Sequence, residues 1–490
     1  MRGKGFLWGI IVVILILAGC GQDQGENDEI GPGNDEEIFS AGISEQTSAP
    51  QTYLKKSSLP ANPSDSTSAN FKFRCNQSPC EFKCKLDSNP WKKCKSPKSY
   101  SSLAVGSHTF KVKAGKNGVW DRSPANYTWV ISFGPAYSLS AGGYHTCAIT
   151  GSSAVKCWGR NDDGQLGDGT RNDRDAPVDV SGLSSGIKGL FPGISHTCAL
   201  TTSDSVKCWG WNIYGQLGDG TTITRKLPVN VSGLSSGIME ITAGNHHTCG
   251  LTTSNAVKCW GGNFYGQLGD GTNTDHYAPV DVSGLSSGIS AISAGASYTC
   301  ALTCSGGVKC WGYNYYGQLG DGTNDNRYSP VDVSGLSSGI VEISAGWNHT
   351  CALTASGGVK CWGNNSSGQL GNGNNSNSNV PVDVSGLSSG VFKISAGASH
   401  TCAVTDSNIK CWGSNSTGQL GDGTNTDRKV PVDVSGLSSG IAEISTKGSH
   451  TCAQNTSGVL KCWGYNLYGE LGNETNDNSN VPVDVIGFGP

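Results

Sequence analysis

One sequence unit of about 50 residues recurs seven times and constrains the fold more than any other feature of this chain. The unit contains His-Thr-Cys-Ala-Leu, a polar loop, Val-Lys-Cys-Trp-Gly, then Gly-Gln-Leu-Gly-Asp-Gly and Pro-Val-Asp-Val. A period of this length is typical of propellers and solenoids. The tryptophans that mark the repeat are Trp158, Trp209, Trp260, Trp311, Trp362, Trp412 and Trp463.

Each unit contains four short extended runs separated by clusters of Gly, Asn, Asp and Ser, and none has a helical 3.6-residue apolar period. In the third unit the runs are Ile238–Ala243, His247–Leu251, Val257–Gly261 and Pro279–Val282. A sheet of this size cannot bury both faces alone, so neighbouring sheets must stack, and seven can close into a ring. The sequence therefore predicts an all-β chain with a seven-bladed β-propeller at residues 134–490.

Two cysteines recur in every repeat. Folding the segment between them as a hairpin puts them directly opposite each other, at a Cβ spacing slightly beyond the usual disulfide value but reachable by small local adjustment. We expect seven disulfides within blades, because seven structural staples are simpler than the alternative of seven thiolate metal sites. The expected pairs are Cys147 and Cys157, Cys198 and Cys208, Cys249 and Cys259, Cys300 and Cys310, Cys351 and Cys361, Cys402 and Cys411, and Cys452 and Cys462.

The N-terminus predicts export. A positively charged start precedes an apolar run at residues 6–17, which is too short for a comfortable membrane span. Residues 1–20 resemble a bacterial lipoprotein signal peptide, which implies cleavage before Cys20 and a lipid on that cysteine. An ordinary signal peptide or a membrane anchor is the alternative. Because Gly21 rather than aspartate follows, the resemblance favours the outer membrane or cell surface over the inner membrane.

Two segments separate the signal from the repeats. Residues 21–70 are polar and rich in Ser, Pro, Gly, Asn and acidic residues, which predicts a flexible tether. Residues 71–133 alternate polar and apolar residues between turns, which predicts a small β-sandwich. Its motif order resembles immunoglobulin-like or fibronectin-like modules of bacterial surface proteins, and the resemblance implies a disulfide between Cys84 and Cys94. The remaining Cys75 and Cys80 are expected to pair with each other.

The predicted sandwich is strongly basic, with 12 Lys and Arg against 3 Asp and Glu in residues 71–133. Such a surface could contact anionic lipid headgroups or the cell wall, and a solvated lysine-rich surface is the alternative. Nucleic-acid binding is not expected, because neither aromatic residues nor a motif supports it beyond charge.

The repeats, residues 137–490, resemble the regulator of chromosome condensation family in their Ala-Gly-x-x-His, Cys-Trp-Gly-x-Asn-x-x-Gly-Gln-Leu-Gly and Pro-x-x-Val elements. The resemblance implies a seven-bladed propeller. The founding member is a nuclear guanine-nucleotide exchange factor, and relatives include secreted bacterial binders such as a propeller-type β-lactamase inhibitory protein. The exchange activity transfers poorly, because this chain is expected to be exported and carries no long insertion within a blade that could displace a nucleotide.

Residues that recur in every repeat are expected to serve the framework. We expect the histidines to make structural hydrogen bonds within each blade, with a metal ring as the alternative. They are His145, His196, His247, His349, His400 and His450, with Tyr298 in the fourth repeat. We expect a recurring acidic position to cap turns, with calcium binding as the alternative. It holds Asp168, Asp219, Asp270, Asp321 and Asp422, with Asn372 and Asn473 in the remaining repeats.

No catalytic motif appears, and no metal or cofactor is expected. Cys304 is the odd cysteine of the propeller, and we expect it to be an unpaired exposed thiol.

Variation inside the fixed frame indicates a binding face. The loops around Trp-Gly-x-Asn-x-x-Gly are aromatic in the second, third, fourth and seventh repeats, and their shared register predicts one face. Exposed Tyr and Trp anchor protein interfaces and also stack on sugar rings, whereas packing between blades is the structural alternative. The candidate ligand-binding residues are Trp211, Tyr214, Phe264, Tyr265, Tyr313, Tyr315, Tyr316, Trp347, Tyr465 and Tyr468.

These observations predict a lipid-anchored protein of the bacterial cell envelope that displays a non-enzymatic propeller as a protein-binding scaffold. A polysaccharide is the alternative ligand. A lyase or hydrolase working at the central channel is a further alternative, which an asymmetric cluster of carboxylates at the channel mouth would favour. Guanine-nucleotide exchange ranks last.

Overall fold

The computed structural model of this chain describes residues 37–38, 49–101, 103–133, 136–406, 408–437 and 440–488. Cys20 and the rest of the predicted signal peptide lie outside these residues, as does much of the predicted tether. No helix in the described part of the chain is long and apolar enough to cross a membrane.

The N-terminal part of the described chain is a β module with one 3-10 helix at Lys56–Ser58. Its sheets have the strand orders β1-β2-β4, β3-β7 and β10-β8-β5-β6, with β9 paired to β8. The strands are β1 (Glu37–Ile38), β2 (Thr52–Lys55), β3 (Ala69–Phe71), β4 (Phe73–Cys75), β5 (Glu81–Leu86), β6 (Lys92–Cys94), β7 (Lys98–Tyr100), β8 (Gly106–Lys116), β9 (Val119–Trp120) and β10 (Ala125–Ile131).

The module starts earlier than the sequence boundary at residue 71. Thr52–Lys55 pairs with Phe73–Cys75, and the Leu54 side chain is buried in the module core. Thr52 is held by the Asp121 carboxylate, which accepts both its N–H and its hydroxyl. This strand is too short to show an alternating pattern, which is why composition alone placed it in the tether.

Seven four-stranded antiparallel sheets follow, which we call blades 1 to 7 in chain order. Their strands are β11 (Ala136–Ala141), β12 (His145–Thr150), β13 (Val155–Gly159), β14 (Arg174–Asp179); β15 (Ile187–Pro192), β16 (His196–Thr201), β17 (Val206–Gly210), β18 (Arg225–Asn230); β19 (Ile238–Ala243), β20 (His247–Thr252), β21 (Val257–Gly261), β22 (His276–Asp281); β23 (Ile289–Ala294), β24 (Tyr298–Thr303), β25 (Val308–Gly312), β26 (Arg327–Asp332); β27 (Ile340–Ala345), β28 (His349–Thr354), β29 (Val359–Gly363), β30 (Ser378–Asp383); β31 (Val391–Ala396), β32 (His400–Thr405), β33 (Ile409–Gly413), β34 (Arg428–Asp433); and β35 (Ile441–Thr446), β36 (His450–Asn455), β37 (Leu460–Gly464), β38 (Ser479–Asp484).

The predicted runs of the third repeat correspond to the four strands of blade 3, with one shift. The fourth strand is β22, His276–Asp281, rather than 279–282. Asp281 lies opposite Lys258 in the ladder and pairs with it, so the strand continues to the aspartate. Val282 is buried beyond the end of the strand, and its apolar character had extended the predicted run.

A hydrogen-bonded latch joins each blade to the next, as blades 1 and 2 illustrate. The Thr197 hydroxyl of blade 2 donates to the backbone carbonyl of Gln165 in blade 1 (2.8 Å), and the Trp209 indole N–H donates to the same carbonyl (2.8 Å). The His145 Nε2 atom lies 2.7 Å from the Thr197 hydroxyl oxygen. Because the single hydroxyl proton is used on Gln165, the imidazole must donate its Nε2–H.

The histidines therefore bond between blades, not within each blade as the sequence predicted. The repeat places His and Thr side by side in one strand, and its period cannot tell which neighbour supplies the partner. Burial lowers the pKa of five of these imidazoles to about 3 and that of His450 to about 4, so all are neutral at pH 7.

The same latch closes the ring. Thr146 and Trp158 of blade 1 both donate to the Glu470 carbonyl of blade 7 at 2.9 Å, and His450 Nε2 lies 2.9 Å from the Thr146 hydroxyl. Each blade is built from four consecutive strands, so no strand is exchanged between the first and last blades. Closure thus depends on the side-chain latch, on single backbone hydrogen bonds such as that from the Gly448 N–H to the Gly142 carbonyl (3.1 Å), and on packing, rather than on a shared sheet.

The N-terminal module packs against blades 1 and 7 at this junction. Phe133, which follows β10, stacks near Phe488 with ring centroids 5.2 Å apart, and its N–H donates to the Gly487 carbonyl. Thr67 donates its N–H (3.0 Å) and hydroxyl (2.6 Å) to the Asp179 carboxylate of blade 1. One continuous apolar core runs from the module through blade 1 into blade 7.

All nine expected disulfides are present, seven within blades and two within the module. Cysteines in each blade face each other in the ladder, as Cys198 and Cys208 do, with Cα atoms 4.1 Å apart. Cys304 is unpaired and exposed, as the odd count indicated.

Lys156 of blade 1 contacts the module. It is fully buried, its ammonium donates to Asp179 (2.6 Å) and to the Asp65 carbonyl, and it lies 4.1 Å from the Phe133 ring centroid. The matching lysine of blade 4, Lys309, pairs with Asp332 but keeps 31% of its side chain exposed. Burial lowers the pKa of Lys156, whereas Asp179 opposes this shift.

We expect Lys156→Ala to lower the free energy of unfolding by roughly 2 to 4 kcal/mol, because it removes one partner of a buried ion pair and the contact with the module. Lys309→Ala, at the matched position, should cost less than about 1 kcal/mol because its pair is open to water. Urea unfolding of the full chain measures both, and equal losses would contradict the assigned role of Lys156.

Candidate binding face

The loops after the first and third strands of every blade lie on one face of the ring, because neighbouring strands are antiparallel. In blade 3 these loops span residues 244–246 and 262–275. We call this face the aromatic face. The module contacts at Lys156, Asp179 and Gly487 lie near the loops of the opposite face and along the outer strand of blade 1, so these contacts of the described module leave the aromatic face free.

Blades 2 to 4 carry two groups of contacting aromatic rings on this face, which together we call the aromatic cluster. Trp211 and Tyr214 contact the His246 ring of blade 3 at centroid distances of 5.1 and 4.8 Å. The ring centroids of Tyr265 and Tyr313 lie 4.6 Å apart across the junction of blades 3 and 4. Further ring contacts join Phe264 to Tyr265 and Tyr315 to Tyr316.

A second cluster joins blades 7, 1 and 5. Tyr144 of blade 1 contacts Tyr465 (6.3 Å) and Tyr468 (6.2 Å) of blade 7 and Trp347 of blade 5 (6.4 Å). The Arg160 guanidinium lies over both Tyr144 and Tyr468, 5.7 and 5.6 Å from their centroids. Sequence reasoning included Trp347 without a neighbour in another blade and did not include Tyr144, because residues in blades 1 and 5 become neighbours only when the ring closes.

The predicted binding residues divide by exposure. Phe264 and Tyr315 project into solvent, with 72% and 67% of their surface exposed. The other eight are half-buried, and several of them lie at blade junctions. Tyr214, Tyr265, Tyr316 and Tyr468 occupy one position of the repeat, which we call the shared slot. The Tyr265 ring contacts Tyr313 of the next blade and keeps part of its surface exposed.

Two side chains reach over the centre of the ring on this face. Lys447 of blade 7 donates to the Ala294 carbonyl of blade 4 (2.8 Å), and Trp347 meets Tyr144 as described above. Burial lowers the pKa of Lys447 to about 8. Lys447 stands three residues before the framework histidine, where the other blades have glycine, so an alignment of the repeats would have singled it out.

Carboxylates on the first strands are used by the framework. Burial raises the pKa of Glu240 and of Glu342 to about 7, and each accepts a backbone N–H from the next blade, at Ile292 and Ile394. Glu443 accepts the N–H of Leu139 and lies 3.7 Å from the Lys393 ammonium. Within the described residues no three His, Cys, Asp or Glu side chains are grouped to hold a metal ion. Glu240, Glu342 and Glu443 are thus spread over blades 3, 5 and 7.

The recurring aspartates cap turns, as the sequence predicted. Asp168 Oδ1 accepts the N–H (2.8 Å) and hydroxyl (2.7 Å) of Thr170, and its other oxygen pairs with Arg174 at 2.8 Å. The same arrangement recurs at Asp219 and Asp321.

Glu470 breaks the repeat on the aromatic face, because six blades have glutamine at its position. Its side chain is fully buried; one carboxyl oxygen accepts the Tyr468 N–H (3.0 Å), and the other has no partner. Burial raises its pKa to about 8, and burial together with Glu470 raises that of Tyr465 to about 12. The carboxyl group is therefore mostly protonated at pH 7.

Comparison with known proteins relates these features to one domain family. The model of the RCC1-like domain matches residues 104–446. The chain is 37% identical over 254 residues to the ultraviolet-B receptor UVR8 of Arabidopsis thaliana, covering 51% of this chain and 58% of the receptor. It is 34% identical over 275 residues to the human E3 ubiquitin-protein ligase HERC2, covering 55% of this chain but 6% of the ligase.

Among solved structures, that of Kap60 bound to yeast RCC1 (Prp20) matches with a TM-score of 0.61 at 20% identity, covering 72% of this chain and 84% of that one. At this identity the match shows the fold alone. The chain spans less than two thirds of the curated relatives given above.

We expect Glu470→Gln to stabilise the chain in a pH-dependent way. A carboxyl whose folded pKa is raised from about 4.5 to about 8 costs nothing below pH 4.5, and its cost grows until pH 8. Glutamine stands at this position in the other blades and cannot ionise, so the gain should be near zero at pH 4.5 and roughly 2 to 4 kcal/mol at pH 8.5. Urea unfolding at the two pH values measures it. The same gain at both would show that Glu470 does not titrate as described.

Proposed function

We propose that this chain, which belongs to the RCC1-like domain family, is a non-enzymatic scaffold that binds a protein partner through its aromatic face. The observation that carries the proposal is the aromatic cluster of blades 2 to 4, which combines exposed rings with half-buried ones in mutual contact. Tyr and Trp in such settings supply large apolar area at little cost in conformational entropy and dominate protein interfaces.

The frame beneath the cluster supports this function. Each tyrosine of the shared slot is fixed through its backbone, as when the Tyr265 N–H donates to Gln267 Oε1 at 2.9 Å. A disulfide in every blade and the latch between blades hold the loops that carry the rings. A partner would therefore meet rings that are already placed, which lowers the entropy lost on binding.

The position of the N-terminal module supports an orientation in which the aromatic face points away from the membrane. It packs on the outer strand and the opposite face of blade 1, so a chain anchored through its N-terminus would point the aromatic face away from the anchor. We propose that the anchor is a lipid on Cys20 of a bacterial envelope protein. The resemblance of residues 1–20 to a lipoprotein signal supports this step.

We also propose that the whole assembly is a seven-bladed propeller preceded by an immunoglobulin-like sandwich that acts as a spacer. Seven four-stranded sheets and the latch between the last and first support the blade count. The module's antiparallel sheets enclose Phe71, Phe110 and Trp129, with the first two rings stacked at 4.1 Å, which supports the sandwich.

The relatives supply a precedent without an assignment. One solved relative, yeast RCC1, is described in complex with a protein, Kap60. The identity to yeast RCC1 is low, and this chain covers only part of UVR8 and HERC2. The partners and activities of those proteins are therefore not transferred to this chain.

We expect Phe264→Ala combined with Tyr315→Ala to abolish partner capture, because the two most exposed rings of the cluster are lost. Both side chains project into solvent, so the thermal midpoint should change by less than about 2 °C. Tyr137→Ala is the matched control, because Tyr137 is as exposed as Tyr315 (67%) but lies at the start of β11, toward the opposite face.

The measurement is affinity capture from envelope and culture-medium fractions with the purified full chain, followed by mass spectrometry and titration of the captured protein. A partner that binds the double variant as tightly as the wild type would exclude the aromatic face. Capture of a glycan in place of a protein would move the proposal to carbohydrate recognition.

We expect Cys20→Ser to abolish incorporation of labelled palmitate and to release the chain from the membrane fraction, because the thiol at that position is the proposed lipid acceptor. Cys304→Ser should change neither result, since Cys304 lies in an exposed loop of blade 4. Labelling that persists in the Cys20 variant would contradict the lipoprotein assignment.

A further inference from the structure

A pocket of about 690 Å³ opens on the aromatic face at blade 3. Four aromatic side chains line it: Tyr214, Phe264, Tyr265 and Tyr277. Asp275 contributes a carboxylate to the lining, and His246 contributes an imidazole. Its size lies within the range of pockets that hold a ligand or a large side-chain group.

The pocket exists because blade 3 lacks a side chain that every other blade has. Gly262 follows the third strand, and a Cβ there would lie 3.2 Å from the His246 Cβ and 3.4 Å from the Tyr214 Cβ. In blades 5 and 6 the equivalent residues, Asn364 and Ser414, cover the framework glutamine and accept its amide N–H. The residues at this position in the other six blades are Arg160, Trp211, Tyr313, Asn364, Ser414 and Tyr465.

The charge of the pocket is negative. Asp275 is its only lining carboxylate, and no lysine or arginine lines it. Asp275 Oδ1 accepts the Asn263 N–H at 2.7 Å, which fixes the carboxylate, and no hydrogen bond or ion pair in the described chain engages Oδ2. Burial lowers the pKa of His246, although Asp275 opposes this shift, so the imidazole is uncharged at pH 7.

The turn beside the pocket also lacks the arginine found in four other blades. Arg174, Arg225, Arg327 and Arg428 pair with the capping aspartates of blades 1, 2, 4 and 6. In blade 3 the corresponding residue is His276, which lies 3.0 Å from Asp270. The guanidinium that would offset Asp275 in this loop is therefore absent.

We propose that this pocket binds the cationic side chain of an arginine or lysine on the protein partner, with the aromatic rings enclosing the cation and Asp275 pairing with it. The inference rests on the proposed function and specifies the partner's chemistry at one subsite. Aromatic faces attract a guanidinium or ammonium group, and a fixed carboxylate adds an ion pair of defined direction. A neutral sugar would use the rings and donate hydroxyl hydrogen bonds to the carboxylate, but it would not form the ion pair.

Saturation-transfer-difference NMR on the purified full chain tests this subsite with small probes. The probes are Nα-acetyl-arginine amide, Nα-acetyl-lysine amide, the neutral arginine isostere Nα-acetyl-citrulline amide, and methyl glucoside. The variant is Asp275→Asn, which the fold accepts because Asn326 fills the same role in blade 4 by accepting the Asn314 N–H. The control is Asp173→Asn in blade 1, where Asp173 accepts the Asn161 N–H at the same 2.7 Å distance.

We expect both cationic probes to bind the wild type and the Asp173→Asn control equally, and to bind Asp275→Asn at least about fivefold more weakly. Citrulline amide should bind the wild type as weakly as the arginine probe binds Asp275→Asn. Equal binding of citrulline, equal binding to Asp275→Asn, binding of methyl glucoside alone, or no binding of any probe would each overturn the proposal.

The outcome of this probe-binding test can be distinguished from that of the Phe264 and Tyr315 double variant, which tests the whole aromatic face. A captured partner that is lost with the Phe264 and Tyr315 double variant but binds Asp275→Asn normally would leave the scaffold function standing and remove the cation subsite. Cationic probes that require Asp275, in a chain that captures no protein, would keep the subsite and remove the scaffold function.

Discussion

A threonine hydroxyl at each blade junction is the interaction on which the ring depends. It donates to a carbonyl of the preceding blade, at Gln165 for the junction of blades 1 and 2, and accepts there from that blade's histidine. The tryptophan beside it donates to the same carbonyl at six of the seven junctions, whereas the Trp463 indole N–H has no partner in the described chain. All four groups are buried, so leaving any one unpaired would cost about 1 to 3 kcal/mol. The glycine after Gln-Leu is required as well, since a Cβ on Gly167, at φ +70°, would lie 2.7 Å from the Trp209 indole nitrogen.

This latch explains which parts of the repeat are fixed and which are free to vary. The fourth blade shows that the junction tolerates a substitution: Tyr298 replaces histidine and donates its hydroxyl proton to the His349 carbonyl at 2.6 Å. The Thr350 hydroxyl lies 2.9 Å from both the Tyr298 hydroxyl and the Gln318 carbonyl and shares its one proton between them. The loops of the aromatic face take no part in the latch beyond their glutamine backbone. Arg160, Trp211, Gly262 and Tyr313 can therefore differ from blade to blade without disturbing the latch.

The sequence predicted what local spacing determines and missed what ring closure determines. The strands, the cysteine pairs and the turn-capping role of Asp168 all follow from neighbours within one repeat. The direction of the histidine bonds and the contact of Tyr144 with Trp347 depend on which blade lies next to or opposite another. The blade 3 pocket was missed for a different reason: a pattern of residues draws attention to side chains, and Gly262 acts by lacking one.

The departures from the repeat divide between the two faces in a way that bears on function. Gly262, Lys447 and Glu470 alter the aromatic face, whereas the burial of Lys156 serves the docking of the module near the opposite face. The two faces of the ring carry different loops, but equivalent latches distinguish no position around it. The module marks one position by occupying the junction of blades 1 and 7, and its contacts there lie away from the aromatic cluster of blades 2 to 4.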